Sequence, residues 1–255
     1  MKTNHEQELM SELRIKGKLE LAEVMDMLHI SESTARRLFT KMEKESKVIR
    51  VHGGIQLPGS AFSEYSFDRL VHTKRSEKEA IANKACDLLK DGDVIFCDAG
   101  TTVLCFCMEL ANRLDSSDIS LKVYTNSLAN FEVLASKVPV TLIGGEYRSY
   151  RKDFAGFLAE TALSKVHFTK SFLGTDGCDG HDNFTTTDFD TARMDELVIR
   201  HSEETTILCT SDKFDHCAQV GFAQFSEIQR AITDSKVSQE VCKYLSDAGI
   251  EVVVA

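Results

Sequence analysis

The chain has 255 residues, 42% of them hydrophobic and 27% charged, enough apolar material for one large core or two smaller ones. Its net charge of −10 argues against binding nucleic acid over the whole surface. The polar opening from Met1 to Glu6 has no signal-peptide character, and no apolar run approaches the ~18 residues that span a bilayer, so a cytoplasmic location away from membranes is expected. The eight cysteines are scattered, and Cys105-x-Cys107 has no matching Cys/His pair at zinc spacing. Free thiols in a reducing compartment are expected, with no metal and no cofactor.

Charge is unevenly spread. Residues 1–60 carry a net +1 and residues 61–255 a net −11, and between Ser31 and Gly54 six basic residues stand against three acidic ones. Apolar spacing predicts helices over Glu6–Ile15, with Leu9, Met10 and Leu13, and over Glu20–Leu28, with Leu21, Val24, Met25 and Leu28. Ser31 is a good N-cap for a third helix running from Thr34 to about Glu43, whose apolar face is Ala35, Leu38, Phe39 and Met42. Val48–Val51, the turn His52-Gly53-Gly54, and Ile55–Leu57 then form a hairpin pattern. Residues 1–58 are thus expected to form one small domain, followed by a linker over 59–75.

From residue 76 the rhythm changes. A helix is predicted over Glu77–Lys90. After it, short apolar strands (Val94–Cys97, Leu121–Tyr124, Val140–Ile143, Ser171–Gly174, Thr205–Cys209, Arg230–Thr233 and Glu251–Val254) are separated by helical stretches such as Val103–Leu114, Ala192–His201 and Ser238–Asp247. That alternation implies a second domain, 76–255, of α/β class with a parallel sheet covered on both faces.

The order of helix, tight turn and Arg-bearing helix, followed by a glycine hairpin, is that of a winged helix-turn-helix. Ser31, Ser33, Thr34, Arg36, Arg37, Thr40 and Lys41 belong to the reading helix and its cap, while Arg50, His52, Gly53 and Gly54 suit a wing along the backbone of operator DNA. Guanidinium forks pair with guanine edges or phosphate oxygens. A small helical dimerisation module with a solvated Arg pair is the plainer alternative. The run Leu28-x-Ile30-Ser31-x-Ser33-Thr34-Ala35-Arg36-Arg37 with Arg50-Val51-His52-Gly53-Gly54 resembles the DNA-binding end of the DeoR family of sugar-metabolism regulators. That family commonly has Asp-Leu after the Arg pair, where this chain has Leu38-Phe39.

In the second domain, Asp98-Ala99-Gly100-Thr101-Thr102 joins a strand to a helix. A helix N-terminus with free backbone N–H groups and two hydroxyls is suited to an anion, here a phosphate held without a lysine. Gly100 is also a candidate for positive φ. A tight turn with a Thr cap is the structural alternative. Thr125-Asn126-Ser127 and Gly144-Gly145 follow two other strands, and in open parallel sheets ligands lie beyond the strands' carboxyl ends.

These positions, together with Asp176 and Lys213-Phe214, resemble the DeoR family too. The resemblance implies a sensor with a fold similar to ribose-5-phosphate isomerase, bound by a small phosphorylated sugar. By it Gly100, Thr101 and Thr102 hold the phosphate, while Asp98, Asn126, Asp176 and Lys213 face the sugar and Gly144 and Gly145 complete the site. It also implies a repressor that works as a homo-oligomer, a dimer or tetramer. Two departures stand out: Asp195 where the family often has a Lys, and Thr210 where an Asp commonly precedes the Lys-Phe. The competing expectation is an isomerase- or deaminase-like enzyme, motivated by Asp176-Gly177-Cys178-Asp179. It lacks a recognisable acid–base pair at family spacing.

Overall fold

The computed structural model describes residues 2–16, 18–45, 47–51, 53–56, 67–116 and 118–255. The chain divides into two compact units, residues 1–72 and 73–255.

The first unit contains α1 (Lys2–Lys16), β1 (Lys18–Glu20), α2 (Leu21–Leu28), α3 (Glu32–Lys44), β2 (Ile49–Val51), β3 (Gly54–Gln56) and α4 (Phe67–Leu70). His29 ends α2 in the left-handed region, φ 51°, with its N–H returned to the Met25 carbonyl. Two residues later the Ser31 hydroxyl accepts from the Thr34 N–H and starts α3, so the helix begins at Glu32, two residues before the expected Thr34. Leu9, Leu13, Leu19, Val24, Leu28, Ala35, Phe39, Met42, Val48 and Ile55 close one buried core. The strands form an antiparallel sheet in the order β1-β3-β2. β1 was not foreseen, because Lys-Leu-Glu carries no alternation long enough to read. α4 lies within the stretch expected to be linker.

The second unit is built on seven strands: β4 (Val94–Cys97), β5 (Lys122–Thr125), β6 (Val140–Leu142), β9 (Phe168–Leu173), β12 (Ser202–Leu208), β14 (Arg230–Thr233) and β15 (Glu251–Val254). They pair in the order β15-β14-β12-β9-β4-β5-β6, all parallel. Alternate strand residues enter opposite cores: Phe96 joins Leu173, Ile207 and Ala231, whereas Ile95 and Cys97 join Phe172, Leu208 and Ile232. Helices α5 (Arg75–Cys86), α6 (Thr101–Leu114), α7 (Leu128–Leu134), α8 (Phe157–Leu163), α9 (Phe189–Arg200) and α10 (Gln239–Asp247) complete the layers.

Some expectations need correction. The helix read as Glu77–Lys90 is α5, which stops at Cys86. Its C-cap Asp87 opens a run of turns, and the Lys90 N–H donates to Asp93 instead of continuing the helix. Two antiparallel additions interrupt the strand–helix alternation. One is the hairpin of β7 (Glu146–Arg148) and β8 (Asp153–Ala155); the other is the small sheet of β10 (Gly177–Cys178), β11 (Asn183–Thr186) and β13 (Val220–Gln224).

Candidate functional site

On α3 the residues expected to read DNA stand at the surface with different degrees of engagement. Arg36 is held by Glu32 one turn earlier, Nε and Nη2 each 2.7 Å from its carboxylate, while Arg37 and Arg50 are exposed and have no ion pair among the described residues. Glu32 therefore orients Arg36, while Leu38 packs against the core. The hydroxyls of Ser31, Ser33 and Thr34 bond one another at 2.9–3.1 Å, and Thr40 donates to the Arg36 carbonyl. Lys41 reaches back to Glu6 of α1, which Lys47 also contacts at 3.2 Å.

In the wing, Gly53 sits at φ 82°. Gly54 has no room for a side chain, since a Cβ would lie 2.0 Å from the Leu19 carbonyl oxygen of β1. Gly54 is thus set by strand pairing, not by flexibility. His52 lies outside the described residues.

The second site lies where the strand order turns round. The chain runs from β4 outward to β5 and β6, then returns to place β9 on β4's other side, and sheets of this kind take ligands beyond the strand ends at such a switch point. Asp98 ends β4, its N–H donating to Phe172 of β9 at 3.0 Å. Its carboxylate accepts from the Gly174 N–H at 3.3 Å. Burial pushes this carboxyl up to about 6, more than the N–H donors of Ala99 and Gly174 bring it down.

Gly100 caps α6 at φ −75°, so the expected positive φ does not occur. A Cβ there would be 3.5 Å from the Gly174 Cα, an ordinary contact, so neither conformation nor space demands glycine at this position. Thr101 and Thr102, the first residues of α6, are buried.

The expectation of a cradle without lysine is also corrected. Lys78 of α5, 4% exposed, donates from Nζ to Thr101 Oγ1 at 3.0 Å. It escaped the sequence reading because 23 residues and a strand separate it from Thr101, and only the packing of α5 on α6 joins them. Burial lowers its pKa.

Asn126 follows β5 and is 3% exposed. Its Nδ2 donates to the Phe154 carbonyl at 3.2 Å, and its buried Oδ1 has no partner among the described residues. After β6, Gly144 borders open space, whereas a Cβ on Gly145 would stand 2.4 Å from the Ala155 carbonyl oxygen. Close approach to β8 therefore accounts for Gly145.

Asp176 is engaged through one oxygen, Oδ2. It accepts from Arg151 at 2.9 Å, from the Thr187 N–H at 3.0 Å, and from the Thr186 and Thr187 hydroxyls. Burial pushes it up, but Arg151 and Lys213 prevail and hold it below the usual carboxylate value. Lys213, half-buried in the short helical turn Ser211–Asp215, has no side-chain hydrogen bond among the described residues.

Arg151 belongs to a buried network that the sequence reading missed. It spans Asp176 and Asp188, while Arg148 pairs with Asp153 at 2.8 Å and with Asp188 at 2.7 Å and donates to Thr191. Both arginines come from the hairpin of β7 and β8, and Asp188 caps α9. Asp195 of α9 is 2% exposed and accepts no hydrogen bond among the described residues; burial and the neighbouring Asp98 push its pKa well up.

The motif that suggested an enzyme is a turn. Asp179 accepts the backbone N–H groups of His181, Asp182 and Asn183 and the Asn183 amide. Against the upward push of burial, these donors hold it at about 2.

A winged helix displaying arginines, joined in one chain to an α/β domain with a polar cluster at its switch point, defines a two-domain transcription regulator. Residues 6–61 match the DeoR-like helix-turn-helix domain and residues 73–235 the DeoR C-terminal sensor domain, so the chain belongs to the DeoR family. It is 32% identical over 239 residues to the lactose phosphotransferase system repressor of Lactococcus lactis subsp. lactis, an alignment spanning 92% of this chain and 91% of that one. It is 30% identical over 228 residues to the HTH-type transcriptional regulator GlpR of Haloferax volcanii, spanning 89% and 88%. Ribose 5-phosphate isomerase A of Methanocaldococcus jannaschii matches 56% of this chain and 55% of its own at 18% identity and a TM-score of 0.42. No helix among the described residues is long and apolar enough to cross a membrane.

Proposed function

We propose that this regulator is a cytoplasmic repressor of an operon for carbohydrate use, released from its operator by a phosphorylated sugar, and that it catalyses no reaction. The observation that carries this reading is the Lys78 ammonium on Thr101 at the start of α6. A cation, a helix N-terminus and two Thr hydroxyls converge at a switch point, which is a phosphate site in both charge and geometry. Thr101, Thr102, Gly100 and Lys78 hold the phosphate. Asp98, Asn126 and Lys213 face the sugar, and Asp176 supports the site through Arg151.

Arg36, Arg37 and Arg50 contact the operator. A single winged helix covers one half-site, which favours a homo-oligomer, dimer or tetramer, on a pseudo-palindrome. The Asp179 carboxylate is held by four donors, and Asp176 Oδ2 by Arg151 and three more, which weighs against the isomerase reading.

A gel-shift titration of the protein on the DNA upstream of its own gene, with a panel of phosphorylated sugars, tests the reading. At least one sugar phosphate is expected to release the DNA while its unphosphorylated parent does not. A panel in which no phosphate alters DNA binding overturns it.

A further inference from the structure

The charges of the second site do not balance evenly. Arg148 and Arg151 are shared among Asp153, Asp176 and Asp188, and Lys78 stands at the head of α6. Two buried carboxylates are left without an ion pair among the described residues, though both feel the charge of Arg151. Asp98 accepts only backbone N–H groups, and Asp195 accepts no hydrogen bond among the described residues. Close to Asp98 across the strand ends, beyond the paired Cys97 and Thr125, the buried Asn126 Oδ1 also lacks a donor.

The groups left unsatisfied beside Asp98, the Asn126 Oδ1 and the two carboxylates, are acceptors, and the carboxylates carry or can carry negative charge. A buried carboxylate without a partner is costly, so one that persists in a ligand site is suited to a ligand that brings the missing donors and the missing charge. A sugar hydroxyl brings a donor but no charge. An ammonium group brings three donors and a positive charge.

We propose that the effector is an amino sugar phosphate: its phosphate on Lys78 and the start of α6, its ammonium between Asp98 and Asp195, with Asn126 Oδ1 accepting a further hydrogen bond. This rests on the phosphate reading above and adds the chemistry of the opposite end of the ligand. Lys213 acts on Asp176, which Arg151 also holds, and so does not compete with the ammonium for Asp98 and Asp195.

The test is calorimetric titration of the full chain with three pairs of probes: glucosamine and glucose 6-phosphates, galactosamine and galactose 6-phosphates, and mannosamine and mannose 6-phosphates. For at least one pair the amino sugar should bind ten-fold or more tightly than its hydroxyl parent. In Asp195→Asn, which keeps the shape and removes the charge, that preference should shrink to two-fold or less. Glucosamine without phosphate should bind far more weakly than its 6-phosphate.

Hexose phosphates that bind with no amino preference in any pair overturn this inference and leave the phosphate reading standing. A preference that survives intact in both Asp195→Asn and Asp98→Asn overturns the assignment of these carboxylates. If all six phosphates fail to bind, the phosphate reading falls and this inference with it.

Discussion

The two units handle charge in opposite ways. In the winged helix Arg36, Arg37, Lys41, Lys47 and Arg50 stand at the surface, and ion pairs such as Arg36–Glu32 and Lys47–Glu45 are exposed to water. The sensor unit, besides surface pairs such as Arg75–Glu79, holds buried and shared charges, as with Arg151 between Asp176 and Asp188 or Lys170 on Asp93 at 2.7 Å. An exposed pair adds little stability, and its partners remain free to exchange a carboxylate for a phosphate. A buried pair cannot exchange cheaply, so it fixes geometry for a small ligand. Surface charge serves contact with a long polyanion; buried charge serves discrimination.

The most disruptive way to break this comparison is to remove one member of the buried network. Arg151→Met leaves Asp176 and Asp188 buried without their shared cation, and should cost about 3–5 kcal/mol of stability in denaturant titrations. A loss below ~1 kcal/mol would show that the network tolerates rearrangement.

A second measurement concerns Asp98, which titrates at about 6 in the folded chain against an ordinary value of 3.8. Between these values the folded protein holds a proton that the unfolded chain has released. Its contribution is therefore fully present below 3.8 and is lost as pH rises through 6. The change is on the order of 3 kcal/mol in ligand-free protein. Asp195 acts in the same direction and Asp176, Asp179 and Asp188 in the other, so the comparison is with Asp98→Asn, whose profile should decline less between pH 4 and 7. Parallel profiles for the two proteins would refute it.

On the exposed side, replacing Arg36 and Arg37 together with Ala should remove at least ~2 kcal/mol of operator binding and leave the melting temperature in place. Footprints of unchanged affinity would take the reading helix out of the interface. Thr101→Ala loses one hydrogen bond to the effector phosphate, an expected ten-fold weakening or about 1.4 kcal/mol by calorimetry, with operator binding in the absence of effector retained. Equal affinities would return the Gly-Thr-Thr turn to a purely structural role. The smallest effect is expected from Lys47→Ala, since Glu45 is exposed and Glu6 keeps Lys41, and no shift in melting temperature should be resolved.

What could be read from the sequence follows the range of the interactions involved. Ser31 as a cap, the Arg36–Arg37 helix and the strands Val94–Cys97, Arg230–Thr233 and Glu251–Val254 depend on neighbours within a few residues, and local pattern identifies them. Lys78 and the hairpin of Arg148 and Arg151 act on partners 23 to 43 residues away, through packing that no local pattern encodes. The hairpin segment Glu146–Ala155 is polar and charged, so it reads as a loop although it anchors the buried network. Asp195 was visible as a departure from the family pattern. Its isolation from any hydrogen-bond partner appears only once α9 is folded against the sheet.

Strand order also bears on how the sensor comes into being during synthesis. β4 is the first strand of the parallel sheet to leave the ribosome, yet it ends in the middle, and β9 must close its second edge about 70 residues later. At ~5–20 residues per second that interval is on the order of 4–14 s, during which β4 to β6 form a half-sheet with an open apolar edge. The contact between Asp98 and Gly174 does not exist until β9 arrives. A newborn chain therefore carries a finished DNA-binding head well before it carries any site for its signal, and chains that stall in that interval would present the head with no means of being told to let go.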